Sequence, residues 1–369
     1  MLKRIFRARE VRVGEGVLSG SIASFLSVLS LLGVLAFHFP EYLTTPELRQ
    51  SYDVAIIRSI MFVALLISGT LGLLNVVRNK RKRLGIFSLI VVFTCIALGG
   101  HRVEVGDFPD NTPYLGLDWF ILDLLGSTLI FIIIEKLLPF RDQPVLRPQW
   151  KTDLDHFFLN HLLIGFALLV ANQFVNRFFG WAVNEDTQAI ITSLPFVIQL
   201  FVVILVADLA QYATHRIYHE VPLFWRLHAV HHSVKHMDWL AGSRQHIIEL
   251  LITRSFVLTP IFLLGFEKNV INAYVVIVGF QAVFNHANVQ INFGWLKYIF
   301  VTPQFHHWHH ASDEAGIDKN YAAHFSFIDY LFGSAVKGQE EWPKGYGVKG
   351  DYVPDGLLKQ QMFPFTHKG

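Results

Sequence analysis

The 369-residue sequence has a single cysteine and few charges. A lone thiol excludes an intrachain disulfide and a cysteine-built metal site. Cys95 lies in an apolar run, where a cysteine is a small core filler. Charged residues make up 16% of the chain, against about 25% in soluble domains. Neither sign dominates, and a net charge of +2 gives no electrostatic case for binding nucleic acid. Gly-x-Ser-x-Gly, His-Glu-x-x-His, Gly-x-Gly-x-x-Gly after a strand and a haem-binding His-Pro-Gly-Gly segment are all missing. The serine-hydrolase elbow, the zincin helix and the dinucleotide fingerprint are thereby excluded.

What the chain has instead is apolar length. It is 52% hydrophobic with a mean hydropathy of +0.40, and 33 residues are Phe. Runs long enough to cross a bilayer fall at roughly 17–38, 54–77, 84–100, 117–139, 156–178, 189–212, 247–266 and 270–290. None alternates as a barrel strand does, so the spans are helices. The first run, about 21 residues behind a basic N-terminus, exceeds a signal-peptide core and reads as a retained span. Glu249, Arg254, Asn272 and Gln281 interrupt the last two runs, which suits a shorter hairpin dipping into the membrane. The fold class expected is an all-α polytopic membrane bundle of about seven or eight spans.

Loop charges set an orientation. The N-terminus carries Lys3, Arg4, Arg7, Arg9 and Arg12. "RNKRKRLG" follows the second run, and Lys136, Arg141, Arg147 and Lys151 follow the fourth. The loops between are acidic or mixed, with Glu41, Glu47 and Asp53, then Glu104, Asp107 and Asp110, then Glu185 and Asp186. Basic short loops stay in the cytoplasm. The loop after the sixth run, which begins at His215, is expected there too, as is the chain from about 291 if the last pair enters and returns.

Every concentration of histidine lies in those cytoplasmic segments. His215 and His219 are four apart, which on a helix sets them on one face with Cβ atoms about 5–6 Å apart. His228, His231 and His232 repeat the pattern at i, i+3, i+4, and so do His306, His309 and His310. His286 in "FNHANV" adds a ninth. One such pair on an apolar helix arises by chance; two His-x-x-His-His motifs and a His-x-x-x-His in one chain do not. Nine imidazoles exceed one ion's shell and suit two ions with four or five ligands each. An all-imidazole shell suits iron, zinc or copper and argues against magnesium or calcium. His246 is a candidate tenth ligand or outer acceptor. Asp208, Glu220, Asp238 and Glu249 are candidate acceptors for ring N–H groups. His307 points off its stripe and reads as a surface contact, with His236 and His324 in surface or outer roles. His38, His101, His156, His161 and His367 read as ordinary loop or helix-end residues.

These motifs resemble the fatty acid hydroxylase / sterol desaturase superfamily. "DLAQYATHRIYHEVPLFWRLHAVHHS", "GSRQHIIE", "FNHANV", "TPQFHHWHH", "DKNYA" and "IDYLFGS" follow the family's segments in order, over roughly 155–335. His307 stands where the family has Arg, and Ile328 where it often has Trp. The resemblance implies a di-iron, O2-dependent lipid oxidoreductase, a hydroxylase or monooxygenase or else a desaturase of a fatty acyl, sterol or related lipid. It implies membrane-anchored helices, a cytoplasmic helical cap holding the dinuclear site, and no catalytic group beyond the metal ligands. Zinc can take such a site in purified protein. The expected division is 1–112 as a three-span extension, 113–340 as the catalytic domain and 341–369 as a C-terminal tail. The chain has no flavin or haem module, so the partners expected are a bilayer lipid and a separate electron donor (a ferredoxin, cytochrome or reductase). An integral membrane protein is expected, in the plasma or inner membrane of a bacterium. Two other classes share some of these features. A metal transporter would place its ligands near the bilayer midplane, whereas both His-x-x-His-His motifs follow the ends of runs. A membrane-embedded zinc hydrolase needs a poised general base, for which Glu249 is the one candidate.

Overall fold

The computed structural model describes residues 16–45, 49, 53–80, 82–106, 116–336, 341–350 and 352–366. The N-terminal basic cluster, Glu47, Arg81, Asp107, Asp110 and His367 lie outside the described residues. Among the described residues there is no strand, only two isolated bridges, Pro139 with Val289 and Ala311 with Tyr346. The chain forms two compact units, Met1–Leu124 and Leu125–Gly369.

In the first unit, α1 (Gly16–His38), α3 (Val54–Arg78) and α4 (Arg83–Ala97) pack together, and a short α2 (Pro40–Leu43) follows α1. Asp53 caps α3, its carboxylate accepting from the N–H groups of Ala55 and Ile56 at 2.8 and 3.2 Å. The interior joins Val34, Phe37, Met61, Leu65, Val91, Val92 and Cys95. Small residues let the helices approach closely, as bilayer packing requires. A Cβ at Gly85 would sit 2.7 Å from the carbonyl oxygen of Gly72, so α3 and α4 touch backbone to backbone there. The Ser68 hydroxyl donates to the Ala23 carbonyl at 2.7 Å, linking α3 to α1 without exposing a polar group to lipid.

α5 (Leu117–Leu137) leads into the second unit, followed by α6 (Trp150–Leu162), α7 (Ile164–Phe179) and α8 (Glu185–Ser193). Next come α9 (Phe196–Glu220), α10 (Pro222–His232), α11 (Ile247–Leu264) and α12 (Lys268–His286). The short α13 (Pro303–His309), α14 (Ser326–Leu331) and α15 (Leu357–Thr366) complete the unit. A core of Val203, Ala207, Val257, Ile261, Val270 and Tyr274 ties α9, α11 and α12 together.

Five helices among the described residues are long and apolar enough to cross a membrane: Ser19–His38, Val54–Arg78, Arg83–Arg102, Phe196–Glu220 and Ile247–Leu264. The α6–α7 pair, bent by 54°, makes a sixth if it is one span. The eight apolar runs of the sequence suggest about seven or eight spans. In α12, Asn272, Gln281, Asn285 and His286 dilute an otherwise apolar helix. The run at 189–212 is broken, because Pro195 has no N–H to continue a helix from α8. The span therefore shifts to 196–220 and carries His215 and His219 in its own last turns, where the loop charges had suggested a loop.

Gly85→Ala is expected to lower the apparent melting temperature in detergent, with overpacking costing about 1–3 kcal/mol. Gly126 of α5 has no atom within 4 Å of an added Cβ. Gly126→Ala is therefore expected to leave melting unchanged or raise it slightly, since alanine is the better helix former.

Candidate metal centre

Four elements bring the histidines together. His215 and His219 come from the end of α9, His228, His231 and His232 from α10, and His286 from the last residue of α12. His306 and His309 lie on α13, with His310 as its C-cap. Local sequence sets each helix end. Pro222 and Pro303 occupy first-turn positions that need no N–H, and the Thr302 hydroxyl accepts from the Phe305 N–H at 3.2 Å. All nine fall into two groups: His215, His219, His228, His232 and His309, and then His231, His286, His306 and His310. Within each group one ring nitrogen per residue lies within 4.8 Å of all the others.

Six of the nine rings are oriented by what their Nδ1 touches. Nδ1–H of His215 donates to the Tyr321 carbonyl at 2.7 Å, that of His231 to Arg244 O at 3.0 Å and that of His286 to Ala282 O at 2.8 Å. His309 donates to Lys319 O at 2.7 Å, His228 to the Glu249 carboxylate at 2.8 Å and His219 to the Asp318 carboxylate at 3.0 Å. Once Nδ1 carries the proton, a neutral imidazole presents a bare lone pair at Nε2. Those lone pairs face one another. Nε2 of His215 lies 3.0 Å from Nε2 of His228, and Nε2 of His286 lies 3.3 Å from Nε2 of His231. Nε2 of His219 and His309 are buried without any hydrogen-bond partner. Two acceptors at 3 Å repel unless a positive charge lies between them. The donor set thus fits a cation in each group, one with five imidazoles and one with four. Burial, together with the neighbouring imidazoles, holds His228, His231, His232, His306, His309 and His310 well below the usual histidine range, so they are neutral and ligand-ready.

The acceptors are themselves anchored. Asp318 and Asn320 both adopt left-handed φ, at 55° and 59°, in the segment whose carboxylate and carbonyls meet His219, His309 and His215. Asp and Asn tolerate that conformation better than other residues with a side chain. The Asn320 amide locks it, donating to Phe305 O at 2.8 Å and accepting from the Val336 N–H at 2.8 Å. On the other side, Arg244 holds His231 through its carbonyl, and its guanidinium pairs with Asp153 at 2.6 Å. Asp153 also pairs with Arg147 at 2.6 Å, which in turn pairs with Asp238 at 2.7 Å. Arg147, Arg244 and Asp153 are all 0% exposed.

Among the expected outer groups, only Glu249 touches one of the nine imidazoles. His246 joins neither group: its Nε2–H donates to Gln361 O at 2.8 Å, and its Nδ1 accepts from the Ile248 N–H at 3.1 Å, capping α11. Asp208 instead receives the N–H groups of Ala323, His324 and Phe325 at 2.8, 3.0 and 2.6 Å. Glu220 pairs with Arg216 on the surface, and Asp238 with Arg147. Backbone carbonyls take the ring protons that these carboxylates were expected to accept. His307 is not a surface residue. It is fully buried, its Nδ1 2.7 Å from the Tyr346 hydroxyl and its Nε2 3.2 Å from His286 O, and burial pushes its pKa down to about 3. His156 is likewise buried, between Gln245 O and the Gln360 side chain at 3.0 and 2.9 Å. His38 and His161 are bystanders bonded to the Leu98 and Phe157 carbonyls. Sequence reasoning missed Asp153, Arg147 and Asp318. The signal available was a charge inside or beside an apolar stretch, which for Asp153 is "WKTDLDHFFL".

Residues 200–334, which contain all nine histidines, match the family Fatty acid hydroxylase. The chain carries a fatty acid hydroxylase domain. An ornithine lipid hydroxylase of Rhizobium tropici is 28% identical over 255 residues, covering 68% of this chain and 77% of that protein. Human alkylglycerol monooxygenase is 32% identical over 130 residues, 34% of this chain but only 28% of its own length. Rat methylsterol monooxygenase 1 is 25% identical over 222 residues, 59% of this chain and 74% of that protein. No solved structure matches. All three relatives belong to the superfamily that the histidine motifs resemble, and the hydroxylase domain places the chain among oxidoreductases. With its apolar helices, the chain is an integral membrane protein.

Asp153→Ala is expected to destabilise the hydroxylase domain by about 3–5 kcal/mol, because it leaves buried guanidinium groups short of a counter-charge. Thermal unfolding in detergent measures the loss. Glu314→Ala, which removes an exposed partner of Lys349, serves as the neutral control.

Proposed function

We propose that the protein is a membrane-bound, O2-dependent di-iron hydroxylase of a polar membrane lipid. The observation that carries this reading is the close approach of Nε2 atoms within each histidine group, at 3.0 and 3.1 Å in the first and 3.1 to 3.3 Å in the second. His215, His219, His228, His232 and His309 would hold one iron, and His231, His286, His306 and His310 the other. Together the two ions would supply the O2 activation that an unactivated C–H bond demands and no side chain can provide. The chain's own contribution is to hold the buried imidazoles in place, six of them (His215, His219, His228, His231, His286 and His309) through their Nδ1–H bonds. It also keeps water from their faces by burial. Glu249 and Asp318 accept from His228 and His219 and raise the basicity of those two rings.

The substrate class follows from the membrane setting and from the match covering most of the ornithine lipid hydroxylase. An acyl chain of such a lipid reaches the site along α9, whose lower turns are apolar and whose last turns bear His215 and His219. Residues 113–340 form the catalytic domain in this reading, and the three preceding spans an extension. The basic loops support a metal centre on the cytoplasmic side. There a separate ferredoxin, cytochrome or reductase delivers electrons.

Protein loaded with ferrous iron under anaerobic conditions should hold about two ions per chain, one for each imidazole group of a size that fills one coordination shell. Folded protein that takes up none would overturn the assignment. His231→Ala or His309→Ala should abolish activity, whereas His38→Ala should not. Lipid mass spectrometry of cells with and without the gene should show a polar lipid gaining one oxygen; loss of two hydrogens instead would identify a desaturase. For topology, single cysteines in a Cys95→Ala background report the side. Positions 47 and 107 should react with an impermeant thiol reagent in intact cells, and position 313 only after lysis. Labelling of 313 from outside would place the centre on the opposite face.

A further inference from the structure

α15 buries one face and leaves the other bare. Gln360, Phe363 and Pro364 turn inward, while Leu358, Met362 and Phe365 stand 80%, 56% and 64% exposed. These three follow at i, i+4 and i+7, so they form one stripe. Large apolar groups arrayed on a helix in this way mark a surface that something covers.

The helix's own bonds identify the cover. The Gln361 side chain accepts from the N–H of Ile247 at 3.1 Å and donates to Gln245 O at 3.2 Å. Ile247 is the first residue of α11, one of the five helices able to span a bilayer. The Gln149 side chain donates to the Asp355 carboxylate just ahead of α15. Gln149 is the N-cap of α6, where the bent α6–α7 pair begins. α15 therefore lies beside the start of α11, long and apolar enough to cross a membrane, and beside the start of the bent α6–α7 pair. An amphipathic helix held at a bilayer surface buries its apolar side about 5–10 Å into the boundary region.

We propose that α15 is an interfacial membrane helix, with Leu358, Met362 and Phe365 seated in the bilayer surface. Its inner face ties that contact to the metal-bearing elements. Gln360 donates to the Ser233 hydroxyl at 3.3 Å, Ser233 accepts from Arg244 at 3.1 Å, and Arg244 O holds His231. The membrane surface thus sets the position of a helix that braces one edge of the four-histidine group. The C-terminal segment, a tail by sequence, becomes part of the catalytic unit. This inference rests on the integral-membrane character of the chain and not on the metal or the substrate.

The test uses the full chain in lipid nanodiscs, with Cys95→Ala and a single cysteine at Met362, Phe365 or Lys359, each carrying an environment-sensitive fluorophore. Labels at 362 and 365 should emit at shorter wavelength than the label at 359. They should be quenched by lipids brominated near the headgroup and spared by aqueous iodide, with the reverse for 359. Equal iodide quenching at all three positions would overturn the proposal. So would protection at 362 and 365 without quenching by brominated lipid, since a protein surface, such as a second copy, would then cover the stripe. The labelled positions are exposed, so the substitutions disturb no packing. Helical content by circular dichroism verifies the fold independently.

Discussion

The centre depends on one repeated interaction, an imidazole Nδ1–H held by a fixed acceptor. Each such bond selects the tautomer and leaves Nε2 as a bare lone pair. Four of the acceptors are backbone carbonyls, of Tyr321, Arg244, Ala282 and Lys319. Carbonyls are as rigid as the chain that carries them, so the ligand geometry is inherited from backbone placement. Side-chain acceptors would allow more play.

That dependence explains why so much of the second unit is committed to two short loops. The 318–321 segment bends through two left-handed residues, each a local strain of about 1–3 kcal/mol, and Asn320 is bonded on both sides to keep it there. The 238–246 segment is held by a buried chain of charges running from Asp238 through Arg147 and Asp153 to Arg244. A buried ion pair is an inefficient source of stability, because desolvation offsets most of the attraction. Here it fixes the position of a carbonyl that a hydrophobic cluster, lacking direction, could not aim.

Membrane and chemistry meet on α9. Its first turns are apolar enough for lipid, and its last two turns carry His215 and His219. No loop separates the apolar turns of α9 from these two histidines, because one continuous helix carries both. The outer residues follow from this compactness. His307 and His156 are buried because the helices that flank the site leave no surface beside it.

The sequence by itself determined the helical class, the membrane character and the nine histidines, because period and composition are local properties. A helix repeats every 3.6 residues, and i, i+3, i+4 spacing places imidazoles on one face whatever surrounds them. The partition of those nine into five and four was decided only by tertiary structure. His231 and His232 are neighbours in the chain but point into different groups, and His309 and His310 do the same. Likewise the choice of acceptors could not be read from composition. Carboxylates stand out in a sequence and carbonyls do not, since every residue has one. Which carbonyl meets which ring depends on how segments a hundred residues apart pack, as Tyr321 meets His215. That packing also folded the C-terminal helix α15 against the histidine-bearing α10.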